Sequence, residues 1–412
     1  MAISFKRHTL DNGLRLLVHE DSTSQLAACN ITYNVGSRDE HPDRTGLAHL
    51  MEHFMFCGSK HIPDYDTPLQ KAGAINNAYT SQDLTQYYIV LPALNLETAF
   101  WIESDRMLEL AFNQQSLDIQ KHVVIEEFKE TCLNRPFGNL WSTYTDLAYE
   151  KYPYKWMPAG KDPSHIEGVT MDIIRDFHSR YYSPANAVIV VGGPVPFDEV
   201  VRGVEKWFGD IPARPKPDKV FPEEPEQTCR KVLRTHGNAP YPMLVKGWKM
   251  PPRLHPDFYA YDLLSDLFGN AQASYLYKKF VAKSQLFTDI SMTVSGTSGP
   301  GLLSIVARPA DGTDIEAANA ALDDFLYHDF AFGESFSYDL QKLKNYNEAR
   351  LLKEEVKLEN RTALLSVEET LGDAEDLEQA LQYYNAVTEE QIRRVWTDSV
   401  REERENTLFY LP

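Results

Sequence analysis

Val169-Thr-Met-Asp-Ile-Ile-Arg-Asp-Phe177 returns later in the chain as Val387-Thr-Glu-Glu-Gln-Ile-Arg-Arg-Val395, so that position 169 maps onto position 387. Each copy reads as a helix and leads to an apolar strand, Ala187–Val191 after the first and Thr407–Leu411 after the second. The chain therefore repeats itself. Working outward, strands mix with long helices in both halves, which argues for an α+β layer in each. The opening residues form a hairpin pattern: Phe5–Leu10 and Leu14–His19 flank Asp11-Asn12-Gly13, a strong turn signal. A hairpin start favours a largely antiparallel sheet over a parallel α/β one. The expected fold class is α+β, with two similar domains, each a largely antiparallel sheet packed with helices. Between the halves, Ile211 to Glu226 holds five prolines and many charges, the composition of a stiff extended linker. The expected boundaries are a first domain at 1–210, a linker at 211–227 and a second domain at 228–412.

Within the first half, Gly46-Leu-Ala-His49-Leu-Met-Glu52-His53-Phe-Met-Phe56 is apolar apart from His49, Glu52 and His53. On a helix the two histidines lie four apart and share a face, so both imidazoles reach one ion. Glu52 sits at the edge of that face, near enough to touch a water on the metal without being forced to bind the metal itself. Imidazole with carboxylate suits zinc, and three protein ligands leave a fourth position for water. The third ligand must come from elsewhere. The best candidate is Glu127 in His122-Val-Val-Ile-Glu126-Glu127-Phe-Lys-Glu130, on a segment whose Leu117, Val123, Val124 and Phe128 lie at helical spacing. Glu126 and Glu130 compete for the role. Carboxylates beside an apolar stripe need a partner, and a cation supplies one. Carried forward by the offset of the repeat, His49, Glu52 and His53 fall on Leu267, Asn270 and Ala271, and Glu127 falls on Asn345. Tyr259–Phe280 contains no histidine or glutamate, so one half is expected to keep the metal and the other to lack it.

Composition sets the class. At 412 residues, 43% hydrophobic and 12% aromatic, the chain has the make-up of a globular protein of two or three domains. A net charge of −19 argues against a nucleic-acid partner and fits either attraction of basic peptides or solubility alone. No run approaches the ~20 apolar residues of a membrane span. No signal peptide is readable in Met1–His8, so a cytoplasmic location is expected. Cys29, Cys57, Cys132 and Cys229 are scattered and read as reduced thiols. Cys57, four after His53, reads as a structural thiol rather than a ligand.

The pattern His49-x-x-Glu52-His53, the downstream Val-Val-Ile-Glu-Glu127, Asn77-Ala-Tyr-Thr-Ser81 between them and Tyr181-Tyr-Ser-Pro-Ala-Asn-Ala-Val-Ile-Val-Val-Gly192 together resemble the pitrilysin-type (inverted-zincin) zinc metallopeptidases. The resemblance covers the full chain and fits the short bacterial and mitochondrial-processing-peptidase-like members. It implies a zinc endopeptidase that hydrolyses peptides or unfolded segments in a clamshell chamber, with one Zn2+ per chain. It selects Glu127 over its neighbours as third ligand. It makes Glu52 the base that takes a proton from water and passes it to the leaving amine. Asn77, Ala78 and Tyr79 match a strand edge that pairs with extended substrate by backbone hydrogen bonds. The accessory glutamate seven before the ligand is here Gln120, and Glu130, one turn beyond Glu127, either orients a ligand or faces solvent. A further departure lies in Ser274–Thr288. Active single-chain members carry an arginine and a tyrosine where this chain has Val281 and Thr288. The lysines Lys278, Lys279 and Lys283 lack the guanidinium fork. The chain thus resembles the zinc-bearing partner of a homodimer or heterodimer whose other chain supplies the arginine–tyrosine pair. The alternative from another class is a zinc-binding but non-catalytic scaffold subunit, and Glu52 speaks against it.

Overall fold

The computed structural model describes residues 3–412. Among the described residues eleven strands form two sheets. The first contains β1 (Lys6–Thr9), β2 (Arg15–Glu20), β3 (Leu26–Tyr33), β4 (Ile75–Thr80), β5 (Thr85–Pro92) and β6 (Ala187–Gly193). The second contains β7 (Lys231–His236), β8 (Met243–Met250), β9 (Phe287–Val294), β10 (Gly301–Pro309) and β11 (Asn406–Leu411). Their orders are β1-β2-β6-β3-β5-β4 and β7-β11-β8-β10-β9. Leaving out β1, the two orders are the same topology. β2 with β6 and β7 with β11 are the parallel pairs, and all other pairings are antiparallel. Two α+β units with largely antiparallel sheets are therefore present, as the repeat implied. The repeated helices are Met171–Tyr181 and Glu389–Ser399. Each begins on a threonine, Thr170 or Thr388, whose hydroxyl accepts a backbone N–H three residues on.

The compact units do not follow the boundaries at 210 and 228. The first gathers the residues up to Phe128, Trp156–Val220 and Leu351–Gln379. The second gathers Lys129–Lys155, Phe221–Arg350 and Ala380–Pro412. Each half of the sequence thus contributes a stretch to the other unit, carrying the helix Leu140–Ala148 to the second and Leu358–Leu371 to the first. The two helices start at Leu140 and Leu358, separated by the offset that relates Val169 to Val387, so the exchange is reciprocal.

Strand alternation explains why the first unit needs its late helix. Successive side chains point to opposite faces of a sheet. Leu16, Val18, Ile189 and Val191 join a core with Leu50, Met51, Phe54, Phe100, Val124 and Phe177. Leu17, Val188 and Val190 point the other way and are covered by Leu365 and Ala374, together with Ile3. All seven residues of β6 are buried, because it is apolar on both faces. Polar contacts pin the same cover: Arg15 donates to the Glu369 carbonyl (2.7 Å), Arg361 pairs with Asp21 (2.5 Å), and Ser366 meets Thr32.

The proline-rich stretch has no regular secondary structure, as its composition implies, but it is anchored rather than free. Lys219 is half-buried and pairs with Asn34 and Asp39 of the first unit, at 3.0 and 2.9 Å. Glu224 accepts the backbone N–H groups of Glu150, Lys151 and Tyr152 in the second. Among the described residues no helix is long and apolar enough to cross a membrane.

Candidate metal centre

The helix Leu47–Phe54 buries Leu47, Ala48, Leu50, Met51 and Phe54, and so turns His49, Glu52 and His53 away from the core. Its start is fixed by two devices. Gly46 has φ +87°, and a Cβ there would lie 2.9 Å from Ile166 Cδ1 and 3.1 Å from the Ala159 carbonyl, so glycine is required. Glu40 lies under the first turn and accepts the N–H groups of Gly46 (3.0 Å) and Ala48 (2.8 Å) and the indole of Trp156 (3.0 Å). The backbone pair are donors that a helix N-terminus leaves without intrahelical partners. Burial pushes the Glu40 carboxyl up to about 8, against the pull of those donors. Glu40→Ala leaves the N–H groups of Gly46 and Ala48 unsatisfied, while the Trp156 indole keeps the Ser37 carbonyl (2.8 Å), and should cost about 2–4 kcal/mol, read as a lowered urea midpoint.

The helix Gln114–Phe128 runs alongside and carries Glu127. His49 Nε2 lies 3.8 Å from Glu127 Oε1, and His53 Nε2 lies 3.3 Å from Glu127 Oε2. One ligand atom from each of the three residues falls within 4.8 Å of the others. This is the one such cluster of histidine, cysteine and carboxylate groups among the described residues. The donors fit zinc: two imidazole nitrogens and one carboxylate, on an apolar base. Their side chains stay 16%, 24% and 43% exposed, so one side remains open to a water or substrate. Burial and the neighbouring His53 lower the His49 pKa, the direction that keeps an imidazole neutral and able to ligate.

Glu52 is outside that cluster. Its Oε2 accepts the Thr80 hydroxyl at the end of β4. Burial pushes the Glu52 carboxyl up, Thr80 pulls it down, and the charge of Glu127 pushes it further up. Asn77, Ala78 and Tyr79 lie on β4, which ends the sheet and has β5 as its single neighbour. Asn77 and Tyr79 are exposed, while Ala78 packs on the core. Asn77 Oδ1 accepts the Ala78 N–H at 2.9 Å. Gln120 hydrogen-bonds the Cys57 thiol, and Cys57 donates weakly to the His53 carbonyl (3.8 Å). Cys57 is no member of the ligand cluster. Glu130 is exposed on the wider helical run Lys129–Asn134, which follows the Glu127 helix directly and is grouped with the second unit. The chain is thus helical without a break from Gln114 to Asn134, as the amphipathic pattern of Gln115–Leu133 implies, α-helical to Phe128 and wider beyond it. Thr80 and Glu40 are the residues sequence reading left out. Thr80 stood within the Asn77–Ser81 motif, but nothing in local pattern ties Glu40 to a helix that starts at Leu47.

The second unit places the equivalent helix, Phe258–Gly269, between β8 and β9, and the counterpart of the Glu127 helix at Phe336–Glu354. Where the first unit has two histidines four apart facing a glutamate, this one has Asp262 and Asp266 facing Arg350 (3.5 Å) and Asn347 (2.7 Å). Tyr384 also donates to Asp262. The second copy holds a fixed guanidinium and, among the described residues, no metal-type cluster. Val281 is half-buried and Thr288 exposed on β9.

Two family models match the chain: one described as "Insulinase (Peptidase family M16)" over residues 15–143, the other as "Peptidase M16 inactive domain" over residues 168–328. With two units of one repeated topology, the chain belongs to peptidase family M16, the pitrilysin-type peptidases. It is similar to zinc protease PqqE of Helicobacter pylori, with 31% identity over a match that spans 68% of this chain and 64% of that relative, a little under two thirds of its length. It is also similar to the uncharacterized zinc protease YmxG of Bacillus subtilis, at 26% identity over 73% of this chain and 72% of that one. Among solved structures, a protease from Helicobacter pylori matches with a TM-score of 0.89 at 24% identity, covering 100% of both chains. The periplasmic protease PqqL from Escherichia coli shares the fold, since the whole chain aligns to 48% of that protein with a TM-score of 0.83 at 18% identity.

Proposed function

We propose that this chain is a zinc-dependent endopeptidase acting on peptides or unfolded polypeptide segments. The observation that carries the reading is the convergence of His49, His53 and Glu127 beside a separate carboxylate, Glu52, that is held by another strand. His49, His53 and Glu127 would hold one zinc ion. When bound, zinc supplies a Lewis acid for the scissile carbonyl and makes a coordinated water more acidic. Glu52, raised above a surface glutamate by burial, takes a proton from water and delivers it to the leaving amine. The open edge of β4 aligns an extended peptide through backbone hydrogen bonds, which read no side chain and so admit many sequences.

The same reading makes this chain the zinc-bearing member of a pair, homodimeric or heterodimeric. Val281 and Thr288 support that half of it, because neither side chain can donate to a developing oxyanion as arginine and tyrosine do. Metal analysis should return one zinc per chain. Removal by a chelator should abolish peptide cleavage, and zinc should restore it. Cleavage that persists in the metal-free protein would reject the reading. If the chain acts in a pair, adding the partner should raise the rate without raising the zinc content of this chain.

A further inference from the structure

Thr80 stands where the substrate-aligning strand meets the base. It is the last residue of β4, and alternation along that strand sends Asn76, Ala78 and Thr80 to one side and Ile75, Asn77 and Tyr79 to the exposed side. Its hydroxyl donates to Oε2 of Glu52. Behind it, the Thr85 hydroxyl lies 3.5 Å from Thr80 Oγ1 and is itself oriented by donating to the Val35 carbonyl at 2.9 Å. Thr85 also hydrogen-bonds Tyr182, whose hydroxyl meets that of Tyr87 at 3.3 Å. Tyr87 and Tyr182 are fully buried. The Thr85 proton goes to Val35 and the Thr80 proton to Glu52, so the two hydroxyls pack as neighbours and the Thr80 contact with Oε2 stands on its own.

We infer that Thr80 is a positioning residue for peptide hydrolysis: by occupying Oε2 it holds the Glu52 carboxylate in one rotamer and leaves Oε1 as the oxygen that receives the proton. The inference rests on the reading of Glu52 as the base. It also ties the base to β4, so that the strand that aligns substrate also aims the carboxylate. Glutamate has three rotatable bonds, and a base must hold its geometry closely to act. One hydrogen bond to a charged group is enough to select among its rotamers.

The test compares Thr80→Val, which keeps the shape and removes the hydroxyl, with Thr80→Ser, which keeps the hydroxyl. Thr80→Val should lower kcat about 10- to 100-fold with KM within about twofold of wild type. Its zinc content should stay at one per chain, and its crystal structure should show Glu52 in a different rotamer. Thr80→Ser should return kcat to within about threefold of wild type. An unchanged kcat in Thr80→Val, or an unmoved Glu52, would overturn the inference, as would a loss confined to zinc content or KM that serine does not rescue. Wild type and Glu52→Gln are run alongside. If both cleave equally, the base reading itself fails, and Thr80 loses its role with it.

Discussion

Glu52→Gln should lower peptide cleavage by about 10^2- to 10^4-fold while the protein keeps one zinc per chain. The substitution is nearly isosteric and leaves the Thr80 hydroxyl an acceptor, the amide oxygen, so the helix Leu47–Phe54 keeps its contacts. It removes the capacity to accept a proton. His49, His53 and Glu127, the cluster within 4.8 Å, are untouched. Rate and metal content should therefore separate: the first collapses and the second stays. The experiment also separates an enzyme from a scaffold. A scaffold subunit would show no difference between wild type and variant in any cleavage assay, because neither would cleave.

The second large effect concerns folding. A fragment of residues 1–210 should fail to give a cooperative unfolding transition, and supplying residues 351–379, fused or as a separate peptide, should restore one. The fragment contains all six strands of the first sheet but lacks Leu365 and Ala374, which cover Leu17, Val188 and Val190. Leaving those three and Ile3 in water forfeits about 1.5–3 kcal/mol each. The total is of the order of a whole domain's stability, about 5–15 kcal/mol. The fragment also loses the partners of Arg15, Asp21 and Thr32. A well-folded 1–210 fragment, seen by sharp thermal unfolding, would show that the second face of the sheet needs no cover.

Much of this molecule was legible in its sequence, for identifiable reasons. His49, Glu52 and His53 announce themselves because a helix puts fixed spacings on one face. The repeat shows at Val169 and Val387 because both copies keep the same helix and strand. Ala187–Val191 reads as a strand buried on both faces because it has no polar alternation. The reciprocal exchange of Leu140–Ala148 and Leu358–Leu371 was not legible. A helix's apolar stripe says that it covers something, not which of two similar sheets it covers. Glu40 was hidden for a related reason, since its three partners come from Gly46, Ala48 and distant Trp156. The offset of the repeat also drifts at the second-half helix, so it lands on Leu267 and Ala271 and passes over Asp262 and Asp266.

That last pair has a consequence for how the two copies of the fold depend on their surroundings. Each copy sets charged or ligating groups between the same two helices, and each needs something positive to reconcile them. In the second copy the positive group is the guanidinium of Arg350, covalently part of the chain and always charged. In the first, on the zinc reading proposed above, it would be an exchangeable ion, whose hold on the folded state would grow with its free concentration, reaching about 4 kcal/mol at roughly a thousand times its dissociation constant. One copy carries its own counterion for life, while on that reading the cohesion of the other would rise and fall with the supply of zinc.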